Sequence, residues 1–155
     1  SPASWKVEAS TRSLGAIDAV GAREGGEQIL FRYALGGAMS ESPFVAAVMP
    51  AGEALSSYDR LTFTARASRP MRASIQLRIP AEGDRGETRW QSSVFLDSEP
   101  RELVVPFELM TPSGTTASLR PALAEVDAVL FVVDTVNTTV GTNGQIWIDR
   151  VRYAR

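Results

Sequence analysis

The chain contains no cysteine and no histidine. Without cysteine there is no disulfide, no thiolate nucleophile and no cysteine-held metal. Without histidine the commonest general base and the commonest transition-metal ligand are missing. A Ser-His-Asp triad, a zinc hydrolase site and a histidine-based lyase are thereby excluded, and any metal must be a hard cation held by oxygens. The lack of cysteine leaves the compartment open, because many exported domains also lack it.

Lysine is nearly absent as well. Lys6 is the only lysine among 16 basic residues, which oppose 18 acidic ones for a net charge of -2. So even a balance offers no general attraction to nucleic acid or an anionic membrane. The longest apolar run, Ala128-Val129-Leu130-Phe131-Val132-Val133, is far too short to cross a bilayer, so no membrane insertion is expected. No signal peptide is visible, and Ser1-Pro2-Ala3-Ser4 reads as a cut edge or a mature terminus. A longer parent protein is therefore expected.

What is present suits one domain over residues 1–155, with 44% hydrophobic and 22% charged residues, ordinary for a globular protein. Short β-type segments separated by turn signals run through the whole chain, with no long amphipathic helix. Trp5-Lys6-Val7-Glu8 and residues 16–20 read as the first strands, and Gly25-Gly26 as a turn. Ile29, Phe31, Tyr33 and Leu35 alternate with Leu30, Arg32 and Ala34, and residues 44–49 form a strand that stops at Pro50. Leu61, Phe63 and Ala65 alternate with Thr62, Thr64 and Arg66; Ile75, Leu77 and Ile79 alternate with Ser74, Gln76 and Arg78. The strand at 90–96 has two phases open to it. Either Trp90, Val94 and Leu96 point inward, or Phe95 does so with Gln91.

Further strands are expected at 101–107 and 128–133, with a single helical turn between 119 and 126 and a Thr/Asn/Gly loop at 135–143. In the last segment Ile146 and Ile148 alternate, and then the apolar positions jump phase to Val151 and Tyr153. Side chains alternate along a strand, so a phase jump implies one extra residue, a bulge. About ten short strands without crossover helices predict an all-β fold, a two-sheet antiparallel sandwich.

Several segments resemble bacterial carbohydrate-binding modules of the jelly-roll type, within the galactose-binding-like β-sandwich group. They are Ser57-Tyr58-Asp59-Arg60-Leu61-Thr62-Phe63-Thr64-Ala65, Arg101 to Phe107 ending in Val-Pro-Phe, and the final pair Val126 to Asp134 and Gly144 to Tyr153. The resemblance runs from residue 29 onward. It implies a jelly roll and a non-catalytic module that binds polysaccharide or oligosaccharide, in an exported, extracellular or periplasmic bacterial protein. It also implies a structural calcium, with Asp149 as one ligand and Glu8 or Asp18 as the second carboxylate. Pairing of Asp149 with Arg150 or Arg152, or capping of the bulge, is the alternative. Where such modules often start a strand with tryptophan, this chain has Glu99-Pro100-Arg101-Glu102.

If the strands at 61–66, 74–79 and 89–95 are neighbours, Trp90, Gln91, Gln76, Arg78 and Arg66 form one face with an aromatic ring, amides and guanidinium groups. Sugars bind such surfaces by stacking on the ring while hydroxyls pair with the polar groups. A plain solvated sheet face with Trp90 turned to the core is the competing reading. The loop Glu82-Gly83-Asp84-Arg85-Gly86-Glu87 is expected to be a solvated hairpin loop, and Asn137-Thr138-Thr139 fits a glycosylation sequon. No carboxylate pair sits in a recognisable catalytic motif, so an enzyme is not expected. The other class of function open to the same sandwich is an interaction or sensor domain contacting another protein domain of a larger extracytoplasmic protein.

Overall fold

A computed structural model describes residues 4–21, 26–114 and 118–155. Ser1 to Ala3 and Gly25 of the expected Gly25-Gly26 turn lie outside the described residues. The strands are β1 (Lys6–Ala9), β2 (Leu14–Gly21), β3 (Glu27–Ala34), β4 (Phe44–Pro50), β5 (Arg60–Ala67), β6 (Met71–Ile79), β7 (Thr88–Leu96), β8 (Arg101–Pro106), β9 (Thr111–Ser113), β10 (Ala128–Asp134) and β11 (Asn143–Ala154). They form two antiparallel sheets in the orders β1-β4-β10-β6-β7-β9 and β2-β3-β11-β5-β8. Apart from the β2-β3 and β6-β7 hairpins and the step from β9 to β10, each connection carries the chain from one sheet to the other. The result is a jelly-roll sandwich.

The alternation read from the sequence sets the core. Ile29, Phe31 and Tyr33 of β3, Leu61 and Phe63 of β5, Ile75 and Leu77 of β6, and Ile146 and Ile148 of β11 all turn inward and are buried. Phe131 joins the layers: Trp5 stacks on it at 5.4 Å and Phe63 meets it edge-on at 5.2 Å. Each such side chain contributes about 1.5–3 kcal/mol of burial. On β7 the structure takes the phase in which Trp90, Val94 and Leu96 enter the core, leaving Phe95 exposed.

The bulge forms where the phase jump places it. Asp149 pairs with Thr64 and Arg152 with Thr62, so Arg150 and Val151 together oppose Phe63. Arg150 absorbs the extra residue at φ 53°, which lets Val151 and Tyr153 pack back against the core. The expected helical turn is one turn of 3-10 helix, Leu123–Glu125. One strand has no counterpart in the sequence reading: β9 is three residues long and contains Pro112. Proline has no N–H for a ladder, and β9 lies at the sheet edge where that is tolerated.

The larger sheet is unusual in its outward face. All but the last residue of β10 is buried, including Ala128, Leu130 and Val132, which point away from the core. These outward side chains join Ala46 and Val48 of β4 in a second apolar cluster, with Phe44 packed against it. A strand buried on both faces reads as a continuous apolar run, as residues 128–133 do. Among the described residues no third layer covers it. The cover comes from polar side chains of its neighbours.

Candidate functional site

The cover is built on β6 and β7, whose outward residues lie side by side. Gln76 pairs in register with Gln91, and Arg78 with Arg89. On the other side of Gln76 lies Leu130, in a row that continues to Val48 and Lys6. Although Ser74 and Gln76 point away from the core, they are only 8% and 6% exposed. Outward residues this buried lie beneath the longer side chains around them, in the trough between those of Glu8, Arg78 and Arg89. Gln76 donates from Nε2 to Ser74 Oγ at 3.2 Å and accepts from Arg89 Nη1 at 3.2 Å. A buried amide without such partners would cost about 1–3 kcal/mol.

Arg78 is the hub. Its Nη1 donates to both carboxylate oxygens of Glu8, at 3.1 and 2.9 Å, and its Nε to Asp127 Oδ1 at 3.4 Å. The Glu87 carboxylate lies 3.9 Å from that Nε and accepts from Arg89 Nε at 2.9 Å. Glu8 sits in the row of Ala46 and Val132, and Arg78 in the row of Ala128. The bridge between them therefore crosses the row of Val48 and Leu130, which are 1% and 0% exposed. Burial alone pushes the Glu8 carboxyl up, but the hydrogen bonds and charge of Arg78, with Lys6 and Arg89, hold it below the ordinary carboxylate value. Arg78 itself is opposed by burial, yet Glu8 and Asp127 strengthen its hold on its proton.

Three of the five expected ligand contacts, Gln76, Arg78 and Gln91, share this face. Gln91 is half-buried beside Gln76. Trp90 does not join them and is corrected to a core residue: at 3% exposure its ring is inside the sandwich, beside Leu77, and offers no stacking surface. The reason is pleat phase, since Trp90 and Gln91 are consecutive and must face opposite ways. Arg66 is also elsewhere. Its strand β5 belongs to the smaller sheet, so the expected adjacency of 61–66 to 74–79 does not occur, and its guanidinium lies 3.6 Å over the Trp147 ring.

The structure does not bring the three carboxylates named for calcium together. Glu8 lies on the outward face of the larger sheet and is bridged to Arg78. Asp18 and Asp149 are on the smaller sheet, and Asp18 is ion-paired with Arg32. Asp149 Oδ1 is buried without a hydrogen-bond partner, which suits a ligand oxygen, but among the described residues no three acidic side chains gather closely enough to hold a metal. Asn137 of the sequon uses its amide internally, donating from Nδ2 to Asp134 Oδ1 at 3.2 Å.

Sequence reasoning missed Glu87, Arg89 and Asp127 as members of the network. Glu87 and Asp127 immediately precede β7 and β10, and only strand order and register bring them to Arg78.

No family model matches the sequence, and no curated protein matches it. Solved structures do. A family 11 carbohydrate-binding module from Clostridium thermocellum, in complex with a β-1,3-1,4-mixed-linked tetrasaccharide, superposes with a TM-score of 0.78 at 12% identity, over 97% of this chain and 88% of that one. The chain has the fold of these modules. A family 30 carbohydrate-binding module of a cellulosomal cellulase from the same organism superposes with a TM-score of 0.62 at 7% identity, over 95% of this chain and 92% of that one. At these identities the likeness establishes the jelly roll and nothing finer.

Proposed function

We propose that this chain is a non-catalytic carbohydrate-binding module whose site is the outward face of the larger sheet. The observation that carries the reading is the set of Gln76, Arg78 and Gln91 on two paired strands, with Gln76 held by Ser74 and Arg89, and Arg78 by Glu8 and Asp127. Sugar hydroxyls both donate and accept, and this face offers amides, guanidinium groups and carboxylates in alternation. The face carries both signs of charge, Arg78 and Arg89 against Glu8, Glu87 and Asp127, which suits a neutral glycan. The support from likeness is that structural neighbours are carbohydrate-binding modules, one of them holding a mixed-linked tetrasaccharide.

The reading differs from a flat aromatic platform in one respect. Trp90 is in the core, so the trough binds through hydrogen bonds to the polar side chains that cover the apolar cluster rather than by a row of stacked rings. It therefore selects single soluble chains rather than crystalline surfaces. The absence of cysteine and histidine from the whole sequence supports the non-catalytic part. A polymeric glycan ligand places such a module in an exported protein.

The test is titration calorimetry with soluble mixed-linked β-glucan, xylan and galactan oligosaccharides. Gln91→Ala, at a half-buried position with no side-chain bond to lose, is expected to weaken binding several-fold at unchanged melting temperature. Equal affinity in Gln91→Ala and Arg78→Ala would remove the trough from the site.

A further inference from the structure

The smaller sheet carries a hollow of about 730 Å³ on its outward face, on the opposite side of the sandwich from the trough. Its lining includes Trp147, Arg66, Asp149, Gln28, Thr64 and Glu102. We propose that this hollow is a second saccharide-binding site, making the module bivalent. The proposal rests on the carbohydrate reading for its class of ligand, while the site stands on its own geometry.

Three features point the same way. First, Trp147 alternates with the core residues Ile146 and Ile148, so its indole faces outward, whereas Trp90 is in the core and Trp5 packs against Phe131. Trp147 lines the hollow and, beside the guanidinium that covers part of it, adds apolar surface to the wall. Secondly, the Arg66 guanidinium carbon lies over that indole, 3.6 Å from the ring centroid. Cation–π attraction holds the guanidinium over the indole, and its N–H donors remain available for hydrogen bonds at the rim of the hollow. Thirdly, Asp149 Oδ1 is buried without a hydrogen-bond partner. An unsatisfied buried carboxylate oxygen is costly, and because Asp149 lines the hollow, rotation of its side chain brings that oxygen to a ligand donor and lowers the cost.

The mixture of groups selects the chemistry. Arg66 donates, Asp149 and Glu102 accept, and Gln28 and Thr64 do both. Three carboxylates, Asp149, Glu99 and Glu102, against the guanidinium groups of Arg66 and Arg150 disfavour a uronate or sulfated sugar. A neutral polyhydroxylated ring satisfies both sets. The volume is that of an ordinary small-ligand pocket, on the order of 300–1,000 Å³, and accommodates a short oligosaccharide.

Indole fluorescence and calorimetry, with mixed-linked β-glucan, xylan and galactan oligosaccharides as probes, separate the two sites. The unaltered chain is expected to bind two oligosaccharide equivalents, one of them accompanied by a change in indole emission. Arg78→Ala combined with Gln91→Ala is expected to retain the emission change and one equivalent. Arg66→Ala, at a position outside the core, is expected to lose the emission change while keeping the other equivalent and the melting temperature. Loss of all binding in the Arg78/Gln91 variant, with Arg66→Ala unaffected, would overturn the second site and leave the trough standing. Full binding in the Arg78/Gln91 variant and none in Arg66→Ala would overturn the trough and keep this site. No binding by the unaltered chain would overturn the carbohydrate reading and this inference with it.

Discussion

Arg78 and Glu8 lie 70 residues apart in sequence, yet one guanidinium nitrogen of Arg78 donates to both oxygens of the Glu8 carboxylate. The pair spans the larger sheet from β6 to β1, over β10 and β4. Charge-assisted hydrogen bonds of this kind contribute about 1.5–3 kcal/mol when partly shielded from water. Arg78→Met is therefore expected to lower unfolding free energy by about that amount in chemical denaturation. Adding Glu8→Leu is expected to recover part of the loss, because two apolar groups suit the floor of Val48 and Leu130 better than one stranded charge. A double variant less stable than Arg78→Met would show that the bridge does not cover that floor.

The same pair sets an acid limit. Glu8 has a lowered carboxyl pKa in the folded chain, so below the ordinary value the unfolded state takes up its proton first. Its contribution is present above about pH 4.5, the ordinary carboxyl value, and is lost as pH falls through the lower folded value. Melting temperatures measured from pH 6 downward are expected to fall less steeply in Glu8→Gln than in the unaltered chain. Parallel profiles would contradict the assignment.

Trp90→Ala is expected to cost about 3–5 kcal/mol, as for a large aromatic removed from a packed core. Denaturant midpoints read this directly. A loss under 1 kcal/mol would place the indole at the surface instead.

At the bulge, Arg150 has a positive φ of 53°. Glycine adopts that conformation freely and a β-branched residue does not. Arg150→Val is expected to be less stable than Arg150→Gly by about 1–2 kcal/mol. Deletion of Arg150 is expected to keep the fold as a regular strand, because it leaves Val151 alone opposite Phe63 and Tyr153 still opposite Leu61, both facing the core. A deletion variant that fails to fold would contradict Arg150 as the extra residue.

The jelly roll was legible because its information is local. Ile29, Phe31 and Tyr33, or Leu61, Phe63 and Ala65, announce their strands by alternation alone, and Ile148 followed by Val151 announces the bulge. The site was legible only in part. Alternation shows that Gln76 and Arg78 share a face, and the β6-β7 hairpin adds Gln91. Which strands become neighbours is a non-local property, so Arg66 could not be assigned to the smaller sheet from its own segment. Trp90 illustrates a second limit. Its strand carries apolar residues on both phases, Trp90 and Val94 on one and Phe95 on the other, and only packing against Leu77 and Pro112 selects between them. For the same reason the polar partners of Arg78, arriving from β1 and from the starts of β7 and β10, were beyond the reach of spacing.

The most direct measurement is an amide and side-chain NMR titration of the chain with a mixed-linked β-glucan tetrasaccharide and with xylan and galactan oligosaccharides. With at least one of them, the expected result is saturable shifts of the Gln76 and Gln91 side-chain amides and the Arg78 Nε–H, which the trough places in contact with sugar. Absence of shifts with every oligosaccharide, or shifts confined to the smaller sheet around Trp147, would contradict the trough as the carbohydrate site.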